Sequence, residues 1–265
     1  MTDTARVVAT YTAAADTFDA LPFWHEFGRR TVERLRLRPG ERVLDLCCGT
    51  GASALPAARA VGPTGSVLGV DLTPALIEVA TRAAAREGLT QARFEVGDVE
   101  TVAFPRDSFD AVVSVLGLFF ADDMAGLLRR AWTWLAPGGR LAVTVWGQTV
   151  LAPGEALFWE AVRREDDSLE HISPAGRVTT PEAMRALFAD AGLPAPEVSV
   201  ERWSMPLASP EAFWPVIMGT SNRGVVDGLS ADAQGRVRRF VEGELSRAAV
   251  HGLAMEALVA AAGRR

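Results

Sequence analysis

The stretch VLDLCCGTG, residues 43–51, decides how this chain is read. Three apolar residues around Asp45 have the composition of a buried strand, and two cysteines and a pair of glycines flanking Thr50 follow. Either Cys47 and Cys48 build a metal or redox site, or Gly49 and Gly51 let the backbone close around a ligand. These are the only two cysteines of the chain, and neighbours in sequence rarely bridge, because disulfide geometry holds the Cα atoms well apart. A metal site needs further ligands, and His25, His171 and His251 stand at no ligand-like spacing. No metal is expected, and the cysteines read as small filling residues. The glycines carry the meaning: a strand that ends in a glycine turn and leads into a helix aims backbone N–H groups and a positive helix end at the carboxyl edge of a sheet.

Working outward, short β-branched runs alternate with helical patterns from Glu41 to Gly147, the signature of a parallel sheet covered by helices. Strands are expected at 42–46, 66–70, 92–97, 109–115 and 140–146, with helices near 51–61, 74–87 and 122–135. The punctuation agrees, with Pro39-Gly40, Gly62-Pro63, Pro105 and Pro137-Gly138-Gly139 falling between runs. Thr73-Pro74 reads as an N-cap followed by a first-turn proline. Two helices, 4–17 and 22–37, precede this core. Behind it, helices are expected at 154–165, 181–191, 209–218 and 231–248 and a strand at 197–204, while 253–262 reads equally as a helix or a closing strand.

The 265 residues, 49% of them apolar, suffice for one α/β domain with additions. A net charge of −6 argues against a nucleic-acid partner, which requires a basic face. All 27 basic residues are arginine, which reads as the coding bias of a GC-rich bacterial genome. The first residues lack the apolar centre of a signal peptide, and no run approaches the ~18–20 apolar residues that span a bilayer, so a soluble cytoplasmic protein without membrane partners is expected.

Asp71 ends the second strand about twenty residues beyond the glycine loop, where a carboxylate accepts both hydroxyls of a ribose. A nucleoside ligand follows, yet G-T-G-A-S-A (49–54) also satisfies the pattern of nicotinamide-binding folds. Asp45 inside the strand end, Gly97-Asp98 closing the third strand and the Pro-Gly-Gly turn feeding the fifth break the tie. At those residues the chain resembles a class I methyltransferase dependent on S-adenosylmethionine.

The resemblance implies a Rossmann-like α/β fold: a seven-stranded sheet in the order 3-2-1-4-5-7-6, with the seventh strand antiparallel, as a single domain over 1–265. Residues 1–38 would form a helical lid, 39–147 the cofactor core, and 148–265 the acceptor-side insertions and closing strands. D-L-C-C-G-T-G matches the family's D-x-G-x-G-x-G except that Cys47 replaces the first glycine. By the same resemblance, Asp45 shapes the loop and helps hold the methionine amino group through it, with Cys47, Gly49 and Gly51. Asp71, beside Leu72, binds the ribose, Asp98 and Val99 flank the adenine, Val115 and Leu116 line the pocket, and Tyr11 lies in a segment that folds over the cofactor.

V-L-G-L (115–118) in place of an N-P-P-Y-type tetrapeptide disfavours a nucleobase amino-methyltransferase. The expected acceptor is a small molecule in a cavity built by Trp24, Phe119, Phe120 and Trp146, with Trp159 as a further candidate. Methyl transfer proceeds mainly through in-line positioning; if the acceptor is a phenol or hydroxyl, His25 or His171 is the expected base. A nicotinamide-dependent oxidoreductase and a non-catalytic S-adenosylmethionine-binding protein remain as alternatives. The acceptor atom and the oligomeric state, a homo-oligomer included, stay open.

Overall fold

Parallel strands require long crossovers, and the sequence supplies a helix for nearly every one. The computed structural model describes residues 4–169 and 174–264. The chain opens with α1 (Thr4–Phe18) and α2 (Pro22–Leu35), the latter stopped by Arg36 in the left-handed conformation. There follow β1 (Arg42–Leu46), α3 (Ala54–Val61), β2 (Ser66–Asp71), α4 (Pro74–Arg86), β3 (Ala92–Val96), β4 (Phe109–Val115), α5 (Met124–Trp134) and β5 (Leu135–Trp146). The second half carries α6 (Gly154–Glu165), α7 (Pro181–Asp190), β6 (Glu197–Pro206), α8 (Phe213–Met218), α9 (Arg223–Gly228), α10 (Ala231–Arg247) and β7 (Gly252–Gly263).

The strands form one sheet in the order β3-β2-β1-β4-β5-β7-β6. β1 to β5 pair in parallel and β7 runs antiparallel to both its neighbours, as the resemblance implied. The alanine-rich end of the chain is therefore a strand. It pairs with β5 from Arg140↔Gly263 to Trp146↔Ala257 and with β6 from Glu197↔Ala261 to Pro206↔Gly252, and two ladders outweigh the helix propensity of its alanines.

Two local expectations change. β5 reaches back to Leu135, so Pro137-Gly138-Gly139 lies inside the strand and not ahead of it. Phe109 pairs with Leu135 and Ala111 with Arg140, and the extra residues bulge at Gly138, whose φ is +80°. The helix expected over 209–218 divides into a 3-10 turn, Pro210–Ala212, and α8.

Side chains alternate between the two faces of the sheet. Val43, Ala111, Val113 and Ala142 pack against Val32 and Leu35 of α2 and Ala57 and Ala58 of α3. Leu44, Val112, Leu141 and Val143 face the opposite core, where α5 contributes Leu127 and Leu128. With both faces covered, ligands must approach the sheet edge. The strand order reverses at β1, between β2 and β4, and at such a switch point the connections diverge and leave a crevice outside the carboxyl ends. No helix among the described residues is long and apolar enough to cross a membrane.

Candidate active site

The crevice begins with the loop after β1. Its amides are tied to β2: Cys48 N–H donates to the Val70 carbonyl at 3.1 Å, and Gly49 N–H to Asp71 Oδ2 at 2.9 Å. The other Asp71 oxygen accepts from Thr73 N–H at 2.9 Å. Asp71 is 9% exposed, and burial pushes its carboxyl above the usual range while these backbone donors pull it back. The Leu72 N–H and the Thr73 hydroxyl add to these contacts, so the loop itself supplies most of the donors around the Asp71 carboxylate. Gly49 adopts φ +53°, and a Cβ there would stand 3.5 Å from the Phe18 ring.

Asp71, Cys47, Gly49, Leu72, Asp98, Val99, Val115, Leu116 and Tyr11 all line one cavity. Two expected residues do not. Gly51, at φ +90°, donates its N–H to the Cys48 carbonyl at 2.9 Å and turns its Cα toward Leu55 and Ala80, so it makes the turn without touching the cavity. Asp45 is fully buried behind the loop and accepts the Ser53 hydroxyl at 2.6 Å, with burial raising its carboxyl to about 7. It reaches the cavity only through Ser53, which does line it.

Cys47 takes φ +57°, the conformation its glycine-like position demands, at a cost of ~1–2 kcal/mol for a residue with a Cβ. Its thiol is pushed well up, first by burial and then by Asp71, Asp45, Asp98 and Glu100. Burial thus favours the neutral thiol, and the acidic side chains around it, Asp71, Asp98 and Glu100 above all, give the cavity a negative potential that suits a cationic ligand. Asp98 itself accepts from Glu100 N–H at 2.8 Å, which fixes the turn after β3.

A second cavity, of about 460 Å³, adjoins the first. Tyr11, Trp24, Leu116 and Phe120 line both. Phe119 and Trp146 join Trp24 and Phe120 in the second, so these four expected acceptor-side aromatics are brought together. They form one packed seam: Trp24 stacks on Phe18 at 4.5 Å, Tyr11 meets Phe18 and Phe120 edge-on at 5.6 and 5.8 Å, and Phe119 tilts onto Phe120 at 4.9 Å. Trp159 departs from expectation. It packs in the core against Phe158 at 5.5 Å and lines neither cavity.

His25 also stands apart. Its Nε2 lies 3.0 Å from the Asp19 carbonyl oxygen and 3.3 Å from Asp19 Oδ1, and it faces neither cavity. The Asp19 side-chain hydrogen bond raises its pKa, and a partly exposed imidazole so paired serves the α1–α2 connection. His171 lies outside the described residues. Among the described residues no group of three or more His, Cys, Asp or Glu is placed to hold a metal ion.

Sequence reasoning missed Glu100 in the first cavity and Glu155 and Asn222 in the second. Phe18, which belongs with Tyr11, Phe23, Trp24 and Phe27 to the aromatic cluster the sequence places in the N-terminal lid, lines the first. Glu155 and Asn222 carry no signal, because each looks like an ordinary polar residue at a helix start.

This sheet order, with its glycine loop after the first strand and a carboxylate ending the second, defines the class I methyltransferase fold. Residues 43–139 match the family described as the methyltransferase domain, and the core of this chain is such a domain. Aklanonic acid methyltransferase DauC of Streptomyces sp. (strain C5) is 40% identical over 141 residues, 52% of this chain and 64% of that protein. Nocamycin O-methyltransferase of Saccharothrix syringae is 34% identical over 132 residues, 49% of this chain and 47% of that protein. The chain thus aligns with about half to two thirds of these relatives' lengths. The YcgJ protein of Bacillus subtilis shares the fold, with TM-score 0.57 and 20% identity over 91% of this chain and 99% of that one.

Proposed function

We propose that this protein transfers a methyl group from S-adenosylmethionine to a small aromatic molecule. The observation that carries the reading is the pairing of the two cavities: one bounded by Gly49 and Asp71, sharing Tyr11, Trp24, Leu116 and Phe120 with a second, aromatic one. The donor set of the first fits that cofactor. Asp71 lines the cavity as an acceptor within reach of ribose hydroxyls, and the acidic side chains around Cys47 favour a cation. S-adenosylmethionine supplies an electrophilic methyl group there.

The chain's own residues do the rest. Asp71 would hold the ribose, Leu72, Asp98 and Val99 would flank the adenine, and the loop from Cys47 to Gly49, backed by Ser53 and Asp45, would hold the methionine end. Tyr11 keeps its proton, since burial and Asp71 both raise its pKa, so it acts as a wall and a donor and takes up no proton. The aromatic seam orients the acceptor and excludes water, and orientation alone supplies ~7–11 kcal/mol in well-aligned reactions. A cytoplasmic location and an acceptor other than nucleic acid belong to the same proposal, the latter supported by the charge of −6. The names of the two relatives, both methyltransferases of small molecules, support the substrate class.

Calorimetry tests the reading. S-adenosylmethionine and S-adenosylhomocysteine are expected to bind, with NAD and NADP inert. Asp71 also anchors the loop, and in Asp71→Asn the amide NH2 would face the Gly49 or the Thr73 N–H, so this variant is expected to weaken S-adenosylhomocysteine by at least about 1.5–3 kcal/mol. Unchanged affinity would remove the ribose assignment, and tight NAD binding would overturn the function.

A further inference from the structure

The aromatic cavity has one charged pole. Among its described lining residues Glu155, in the first turn of α6, is the sole charged side chain. Asn222, 6% exposed on the facing turn before α9, lines the same space and donates its side-chain hydrogen bond to the Glu155 carboxylate. Trp24, Phe119, Phe120 and Trp146 line the same cavity.

We propose that Glu155, oriented by Asn222, is the recognition group for a hydroxyl on the acceptor, so that the site selects planar, hydroxylated aromatic molecules over their methyl ethers. The inference rests on the methyltransferase reading of the adjoining cavity.

A carboxylate beside ring faces is poorly solvated and gains from each hydrogen-bond donor it receives. Asn222 supplies one donor, and about four lone-pair directions exist. A ligand hydroxyl supplies another, whereas a methoxy group has no proton to offer and sets a methyl against the charge. The neutral polar neighbours Thr220 and Ser221 continue this pole, so the aromatic body of a ligand packs on the seam while its polar edge points to α6. Burial also raises the Glu155 pKa, against the pull of Asn222, which makes the carboxylate a stronger acceptor. An anionic ligand edge would be repelled, and the site therefore favours phenols over carboxylates.

The experiment is calorimetric titration of the full chain with 2-naphthol and 2-methoxynaphthalene, with and without S-adenosylhomocysteine. The wild type is expected to bind the naphthol about tenfold or more tighter, the scale of one hydrogen bond to a charged group. Glu155→Gln keeps the shape and loses the charge, and is expected to reduce that ratio about fivefold while leaving S-adenosylhomocysteine affinity unchanged. Equal affinities for the two ligands in the wild type, or the same ratio in Glu155→Gln, would overturn the proposal. Should Glu155→Gln not fold, Glu155→Asp, which draws the carboxylate back by one methylene, takes its place, and an unchanged ratio there would overturn the proposal. Failure of the wild type to bind S-adenosylhomocysteine would overturn the methyltransferase reading instead, and the change of the naphthol ratio between wild type and variant would still report on Glu155.

Discussion

Cys47 and Gly117 make a pair whose energetics can be worked from the structure. Gly117 has φ −128° and ψ −23°, angles open to alanine, so the backbone does not require glycine. The space does: a Cβ at Gly117 would lie 2.2 Å from the Cys47 Cβ and 3.0 Å from its Sγ, with the next atom, Cys47 Cα, at 3.6 Å. Carbon atoms in contact sit ~3.5–4.0 Å apart, so the first distance is short by more than an ångström. Gly117→Ala alone is expected to cost ~1–3 kcal/mol by overpacking. Cys47→Gly relieves left-handed strain of ~1–2 kcal/mol but loses a buried side chain and adds backbone freedom, for a net change near zero. In that background both close atoms are gone, and Gly117→Ala is expected to cost less than ~0.5 kcal/mol, a coupling of about 1–3 kcal/mol. Urea unfolding of the four proteins measures this, and each kcal/mol also moves Tm by about 2–4 °C in a chain of this size. Both residues line the cofactor cavity, so S-adenosylhomocysteine affinity falls in Gly117→Ala and recovers in the double variant. An identical cost of Gly117→Ala in both backgrounds would refute the steric argument.

Asp45 gives a pH signature. Its folded-state pKa, about 7, lies above the unfolded value near 4, so its contribution to stability is full below about pH 4 and is lost as pH rises to about 7, a change of up to ~4 kcal/mol. Asp45→Asn lacks this loss and is expected to gain on the wild type between pH 5 and pH 8 in denaturant titrations; a constant difference would show that Asp45 titrates normally. For His25 the raised pKa likewise means that the Asp19 pair stabilises below about pH 6.5 and fades as pH rises through the folded value, weakly because the ring is partly exposed. His25→Ala is expected to leave the pH profile of turnover intact, and an altered profile would restore this histidine as a base.

What the sequence disclosed follows from how local each signal is. Asp71 was legible because a carboxylate at a strand end, one helix beyond a glycine loop, has its role set by the crossover itself. Gly49 was legible for the same reason, but Gly51 was not separable from it: both have positive φ, and only the packing of Leu55 and Ala80 shows that Gly51 turns away. Cys47 read as filling, and it does fill, yet its left-handed backbone and its contact with Gly117 depend on β1 and β4 lying side by side. The alanines of β7 were ambiguous because their own propensity favours helix and only two ladders from distant segments decide against it. His25 attracted attention as a rare titratable residue, and rarity says nothing about direction. Glu155 and Asn222 meet only because α6 and the turn before α9 pack on the same cavity, a contact with no local trace.

The placement of these groups also bears on how the reaction would be driven. Four residues, Tyr11, Trp24, Leu116 and Phe120, bound both cavities, so in the proposed reaction the path between cofactor and acceptor passes along their side chains, whose polar atoms are the Tyr11 hydroxyl and the Trp24 indole N–H. Two of the four, Tyr11 and Trp24, come from α1 and α2, outside the stretch that matches the methyltransferase domain. Phe18, also from α1, locks them by stacking on Trp24 and meeting Tyr11 edge-on. In the proposed reaction the distance and angle between methyl donor and acceptor would then be set by packing from the N-terminal helices against a loop of the core. Phe18→Ala removes that lock and leaves the charged groups of the site in place. Because Phe18 also lines the first cavity, some S-adenosylhomocysteine affinity goes with it, and a positioning mechanism then requires turnover to fall about tenfold or more beyond that loss, since displacements near 1 Å cost on the order of 100-fold. Equal losses in turnover and in cofactor binding would mean that α1 only completes the cofactor site, and that orientation of the acceptor is set elsewhere.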